Sequence, residues 1–145
     1  MLKQAMAEFL SGEVLKNALD FAEFLDANEM VVSGVEVSYK ERVICYMHLD
    51  DGDEYPSPWT IWTEGDYSAP HKDVPISEQI KEMAWANINN CDNCGAGCNP
   101  GFQKVIFDQT FEHVCNASMA FYKPDADTLE AVKKLLLMRK YEIAK

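Results

Sequence analysis

Met30-Val31-Val32-Ser33-Gly34-Val35-Glu36-Val37-Ser38-Tyr39-Lys40-Glu41-Arg42-Val43-Ile44-Cys45-Tyr46-Met47-His48-Leu49 is the stretch that decides the fold, because here the apolar period changes to two. Val35, Val37 and Tyr39 fall on one face of an extended chain and Gly34, Glu36 and Ser38 on the other, the alternation of a half-buried strand. Lys40-Glu41 supplies a turn. Beyond it Val43, Cys45, Met47 and Leu49 alternate against Ile44, Tyr46 and His48, so a second strand over 42–49 completes an antiparallel hairpin. Cys45, set among apolar neighbours, reads as a buried hydrophobe.

Upstream the period is helical. Leu2, Met6, Phe9 and Leu10, then Val14, Ala18, Phe21, Ala22 and Leu25, recur every three or four residues, with a break at Ser11-Gly12 and a stop at Asn28. Downstream, Asp50 to Pro58 is rich in turn formers and carboxylates and reads as an exposed loop. Its acidic residues lack the spacing of a calcium-binding EF-hand loop. A third strand is expected over 59–64 and a second loop through Pro75. Ser77 then caps a helix whose Ile80, Met83, Ala84 and Ile88 share a face. Residues 104–107 read as a short strand, 108–115 fit either helix or loop, and 117–122 form a last strand ended by Pro124. Asp127-Thr128-Leu129-Glu130 resembles a capping box opening a terminal helix that carries Leu129, Val132, Leu135, Leu136 and Arg139. The expected fold class is α+β: one domain over 1–145, an antiparallel β-sheet packed against N- and C-terminal helices, with a cysteine-rich segment at 91–115.

A chain of 145 residues buries roughly 68–70% of its unfolded surface and needs no staple to form a core. Thirteen basic against 24 acidic residues give a net charge of −11, which repels a phosphate backbone, so nucleic acid is not an expected partner. The N-terminal residues hold no apolar run long enough for a secretory signal, and no stretch approaches the ~18 apolar residues of a membrane span. The expected address is therefore the cytoplasm, where thiols stay reduced and cysteines serve as ligands or redox groups more often than as disulfides.

The chemistry of the chain centres on Cys91-Asp92-Asn93-Cys94-Gly95-Ala96-Gly97-Cys98-Asn99-Pro100-Gly101, with Cys115 after sixteen intervening residues. Glycines let the backbone fold back on itself, so three sulfurs can converge on one ion. Cys91 and Cys94 have the Cys-x2-Cys spacing of a zinc knuckle, and Cys98 and Cys115 would complete four thiolates around zinc. An iron–sulfur cluster uses the same ligands but lacks its usual spacing here. Two rival readings are free thiols on a surface turn and a reversible Cys91/Cys94 redox pair. The redox pair is opposed by its place at the C-terminal end of a helix, whose dipole disfavours a thiolate. His113 can replace Cys115 as fourth ligand, and Cys115 can equally be core.

Aromatic residues offer a second candidate. Trp59, Trp62 and Trp85, with Tyr39 and Tyr46, lie in segments expected near one another, and such walls line small-molecule pockets as well as cores. Trp59 and Trp62 fall on opposite faces of one strand, so one of them is expected to line a cleft or an oligomer interface. Glu36 facing His48 across the hairpin is the arrangement of a general base, though such pairs on a sheet are more often inert. His71 lies in a loop and carries no signal.

The segment from Trp85 through Cys91, the cysteine turn to Pro100-Gly101, Ile106-Phe107, Phe111, Val114-Cys115 and Pro124-Asp125 resembles the C-terminal signature of a family of small uncharacterised bacterial proteins. The resemblance covers about the last 60 residues. It implies a bacterial origin and cysteines acting as a unit, and it carries over no catalytic residue. This chain has Asp108 where a glycine is usual after Ile106-Phe107. The reading that follows is a cytoplasmic binding domain with structural zinc and no evident catalysis. The alternative is a small-molecule or thiol-redox sensor that uses the aromatic cleft or Cys91/Cys94, and a homo-oligomer stays open.

Overall fold

The computed structural model describes residues 2–49, 59–64, 74–90 and 101–144. Helices α1 (Leu2–Phe9) and α2 (Gly12–Ala27) precede strands β1 (Val31–Ser33), β2 (Glu36–Tyr39), β3 (Arg42–Leu49) and β4 (Trp59–Glu64). Helix α3 (Glu78–Ala86) follows, then β5 (Ile88–Asn90), β6 (Phe102–Ile106), β7 (Gln109–Tyr122) and α4 (Ala126–Ala144). Every strand pairing is antiparallel, and the sheet runs β1-β2-β3-β4-β7-β5 with β6 also on β7. This is the expected α+β architecture, with helices at both ends of the chain. Among the described residues no helix is long and apolar enough to cross a membrane.

Alternation places one face of the central strands in the core. Val37, Cys45 and Thr63 form one cross-strand row, Met47, Ile61 and Phe121 the next, and all are buried. Against them pack Phe21 and Leu25 of α2 and Leu129, Val132 and Leu136 of α4, each at most 1% exposed. Phe21 meets the Trp59 indole with ring centroids 6.0 Å apart. Lys133 of α4 joins Asp20 of α2 and lies over the Phe24 ring, tying the two helices together at their solvent edge.

The hairpin reading holds at Lys40-Glu41, both residues at positive φ (49 and 68°), the two-residue turn whose twist matches that of the flanking strands. It fails at the start. Gly34, at φ 62°, breaks the expected single strand into β1 and β2, and Val35 at the turn is 51% exposed. Ile44 also leaves its expected face, because a bulge between Val37 and Ser38 shifts the register and buries it completely. Ser77 caps α3 as expected, its hydroxyl accepting from the Ile80 amide at 3.2 Å. That helix stops at Ala86, and Ile88 belongs to β5. The terminal helix opens before the expected capping box, because Asp125 accepts from the Thr128 amide at 2.8 Å and so caps it.

Candidate functional site

The largest departure from the sequence reading is β7, which runs unbroken over Gln109–Tyr122 where helix or loop had been admitted through Cys115. It joins β6 through Phe107 and Asp108, both at positive φ (47 and 69°), a tight turn in which aspartate takes the position where glycine is usual. Aspartate tolerates that region better than most residues, so the turn closes without a glycine.

Three register irregularities interrupt β7. Thr63 pairs with Met119 but Glu64 with Ala117; Phe102 pairs with Val114 but Lys104 with Phe111; Ile88 pairs with Met119 but Asn90 with Val114. Two residue steps of β5 are thus matched by five of β7, which leaves the stretch from Cys115 to Ser118 bulged. His113, at φ 59°, marks another extra residue. A bulge frees backbone groups that must find other partners. Here side chains from the flanking strands supply them. Lys104 Nζ donates to the Cys115 carbonyl at 3.1 Å and to Ser118 Oγ at 2.9 Å, and Asn89 Nδ2 donates to the Ala117 carbonyl at 2.9 Å. The Ser118 side chain is fully buried.

Val114 is the pivot of this region. It is registered with Asn90 on one edge of β7 and with Phe102 on the other, so these two residues sit roughly 10 Å apart, two strand spacings, with Val114 between them. Asn90 immediately precedes Cys91, and Gly101 immediately follows Pro100. His113 and Cys115, the rival fourth ligands, stand on either side of Val114 in the chain. Cys115 is a free thiol, half-buried, and His113 is exposed. Cys91, Cys94 and Cys98 lie outside the described residues. Among the described residues no three ligand-type side chains come together.

The fifth cysteine behaves as expected. Cys45 is free and fully buried, and burial raises its thiol pKa far above the ordinary value, so it is inert as nucleophile or ligand.

The three tryptophans have different surroundings. Trp59 is fully buried against Phe21. Trp62 stands half-buried on the opposite face, in the cross-strand row Glu36, Tyr46, Trp62, Ala120, with the His48 ring edge-on to its indole at 6.3 Å. Trp85, on α3, donates from Nε1 to the Ile106 carbonyl at 2.7 Å and so fixes that helix to the end of β6. Tyr39 belongs to the core and is flanked by the ammonium groups of Lys40 and Lys140. Glu36 is registered with Tyr46 and His48 with Thr60, so the expected carboxylate–imidazole pair is diagonal across the hairpin, where direct opposition had been expected. A cleft of about 580 Å³ opens elsewhere, between α1, α2 and β1 at Leu2, Ala22, Leu25, Met30 and Val32, with no tryptophan in its wall.

Sequence reasoning missed Lys104, Asn89 and Ser118. Their partners lie across a bent strand, and no local spacing encodes such contacts. Compared with family models, curated proteins and solved structures, the chain matches none.

Proposed function

We propose that the chain is a small cytoplasmic metal-binding domain in which zinc, held by Cys91, Cys94, Cys98 and Cys115, orders the glycine-rich turn and serves structure without catalysis. The observation that carries this reading is the pivot at Val114. The ten-residue cysteine segment leaves from Asn90 and returns through Gly101 on opposite sides of the residue that precedes Cys115. The residues at both ends of the segment are thus tied to the strand one residue before Cys115, which would lower the entropy lost on closing a ring of ligands around one ion. Four thiolates close a tetrahedral zinc site and leave no position for water, so the centre stabilises the turn and activates no nucleophile. Elemental analysis of protein purified without chelator is expected to give about one zinc per chain. Thiol counting should then find Cys45 reactive only after denaturation and the other four protected until the metal is removed. Metal-free protein with four readily titrated thiols would contradict the reading.

A second reading is favoured by Trp62. Its half-buried indole, beside His48 and Tyr46 on the face of β4 away from Phe21, offers a wall for a flat apolar ligand, as a small-molecule sensor would require. Quenching of tryptophan fluorescence that is lost in Trp62→Ala, in protein shown to hold no metal, would favour this reading over the first.

A further inference from the structure

Strand β1 ends the sheet: it pairs with β2 and, among the described residues, with no strand on its outer edge. One bond fixes which way its backbone groups point. The Met47 amide donates to the Val35 carbonyl at 2.8 Å, so Val35 turns toward β3 and the next residue, Glu36, turns its N–H and C=O toward β1. Ser33, registered with Glu36, therefore points its groups inward, and Val32 points both of its own outward. Edge strands commonly carry a lysine, a proline or a bulge that discourages further pairing. Val31-Val32-Ser33 has no such residue, its register with β2 is continuous, and Val31 is 64% exposed. Beside this edge lies the cleft of about 580 Å³ between α1, α2 and β1, whose buried lining is Ala22, Leu25 and Met30. Its rim is acidic. Asp26, in the last turn of α2, lines the cleft, Glu29 follows the end of that helix, and both are exposed. A carboxylate at a helix C-terminus opposes the helix dipole, and among the described residues no cation pairs with Asp26 or Glu29. Lys3, the cation of the described lining, is bridged to Glu23 at 3.6 Å.

From this we infer that the outer edge of β1 and the cleft beside it form a docking site for an extended, basic segment of a partner protein, which adds a strand at Val32 and seats an apolar side chain in the cleft. Strand addition divides the work in this way: backbone bonds supply affinity, and a pocket for alternate side chains supplies specificity. The edge is short, so the cleft carries much of the contact. Its volume falls within the roughly 300–1,000 Å³ of ligand pockets and admits a large aliphatic or aromatic side chain. Basic residues that alternate with the apolar ones meet Asp26 and Glu29. A second copy of this chain is a poorer occupant, because pairing β1 with β1 sets two acidic rims together on chains that each carry a net charge of −11. The site uses no cysteine and is independent of the zinc reading.

The test is titration of the ¹⁵N-labelled full-length chain with short synthetic peptides in which lysine alternates with valine, leucine or phenylalanine, read as amide shifts. Shifts are expected at Val31, Val32 and Ser33 and at Leu25 and Met30 in the cleft, with affinity falling as salt rises. Counterparts with glutamate in place of lysine should bind about tenfold more weakly. Val32→Pro removes the outward N–H without touching a bond to β2, a change that edge strands accept, and should weaken the lysine peptides by about 3- to 10-fold. Asp26→Lys places a cation where the helix end favours one, should weaken them by a similar factor, and serves if the proline variant does not fold. Absence of shifts in β1 with every lysine peptide, or affinity unchanged in both variants, would overturn the inference. Equal affinity for the lysine and glutamate peptides would overturn its basic partner. Concentration-dependent dimerisation in sedimentation that Val32→Pro abolishes would give the edge to a second copy instead.

Discussion

Cys45 and Cys115 occupy two regions of one sheet that are built on different rules. Around Cys45, β3 and β4 keep an uninterrupted ladder from Cys45–Thr63 to Leu49–Trp59, and alternate side chains go into a core closed by α2 and α4. Around Cys115, β7 departs from strict pairing with each of its three neighbours, and backbone carbonyls are satisfied by lysine and asparagine side chains. The first region is held chiefly by apolar area, and full burial gives its thiol no chemistry. The second is held in part by directed polar contacts to its backbone, and its thiol is half-buried.

The contrast can be broken most forcefully at the tryptophans. Trp59→Ala should cost about 3–5 kcal/mol of unfolding free energy by leaving a cavity beside Phe21, whereas Trp62→Ala on the other face of the same strand should cost about 1 kcal/mol or less. Denaturant unfolding of the two variants decides this, and equal losses would mean that the two faces of β4 are not distinguished as described.

The cysteines give the next largest difference. Cys45→Ser should destabilise the fold by about 1–3 kcal/mol by placing a hydroxyl at a fully buried position. Cys115→Ser in metal-free protein should change stability far less, since that thiol is only half-buried. The same chemical denaturation curves measure both.

A smaller effect belongs to the cap of α4. The Thr128 amide, donating to the Asp125 carboxylate, holds its pKa below the ordinary aspartate value. A depressed folded-state pKa means that this stabilisation is present above the unfolded value of ~3.9 and is lost as pH falls through the folded value. Asp125→Ala should lower stability by about 1 kcal/mol near neutral pH, and the difference from wild type should narrow in acid below that range. The carboxylate is exposed, so solvent screening keeps the pH-dependent part small. Thermal unfolding across pH 2–7 tests it, and stability in Asp125→Ala equal to wild type at neutral pH would assign the cap to another group.

The most local effect is that of Cys94→Ser, which should raise amide exchange between Asn90 and Phe102 and leave the β3–β4 ladder protected, because the core closes without the turn. Global loss of protection would show that the two regions are not independent.

How much of this the sequence discloses follows the same division. The hairpin at Lys40-Glu41, the helix break at Ser11-Gly12 and the cap at Ser77 are written in local periods and turn chemistry, and each stands where the pattern puts it. Strand β7 is not so written. Bulges at His113 and between Val114 and Met119 destroy the alternation that would have announced it, and the hydrogen bonds that compensate come from residues distant in the chain. The cap at Asp125 was hidden for a different reason: Asp125 and Asp127 both precede apolar helical positions, and only geometry separates them. In the candidate site, the cysteine spacing was visible at once, while the pivot at Val114 and the lysine that clamps the bulge required the sheet.

The most direct test of the central claim is X-ray absorption at the zinc edge on the full-length chain loaded with one equivalent of Zn²⁺, alongside its Cys115→Ser variant. Four sulfur neighbours at about 2.3 Å in the wild type, reduced to three in the variant, are the predicted result. A shell of nitrogen and oxygen in the wild type, or a sulfur count indifferent to Cys115, would contradict it.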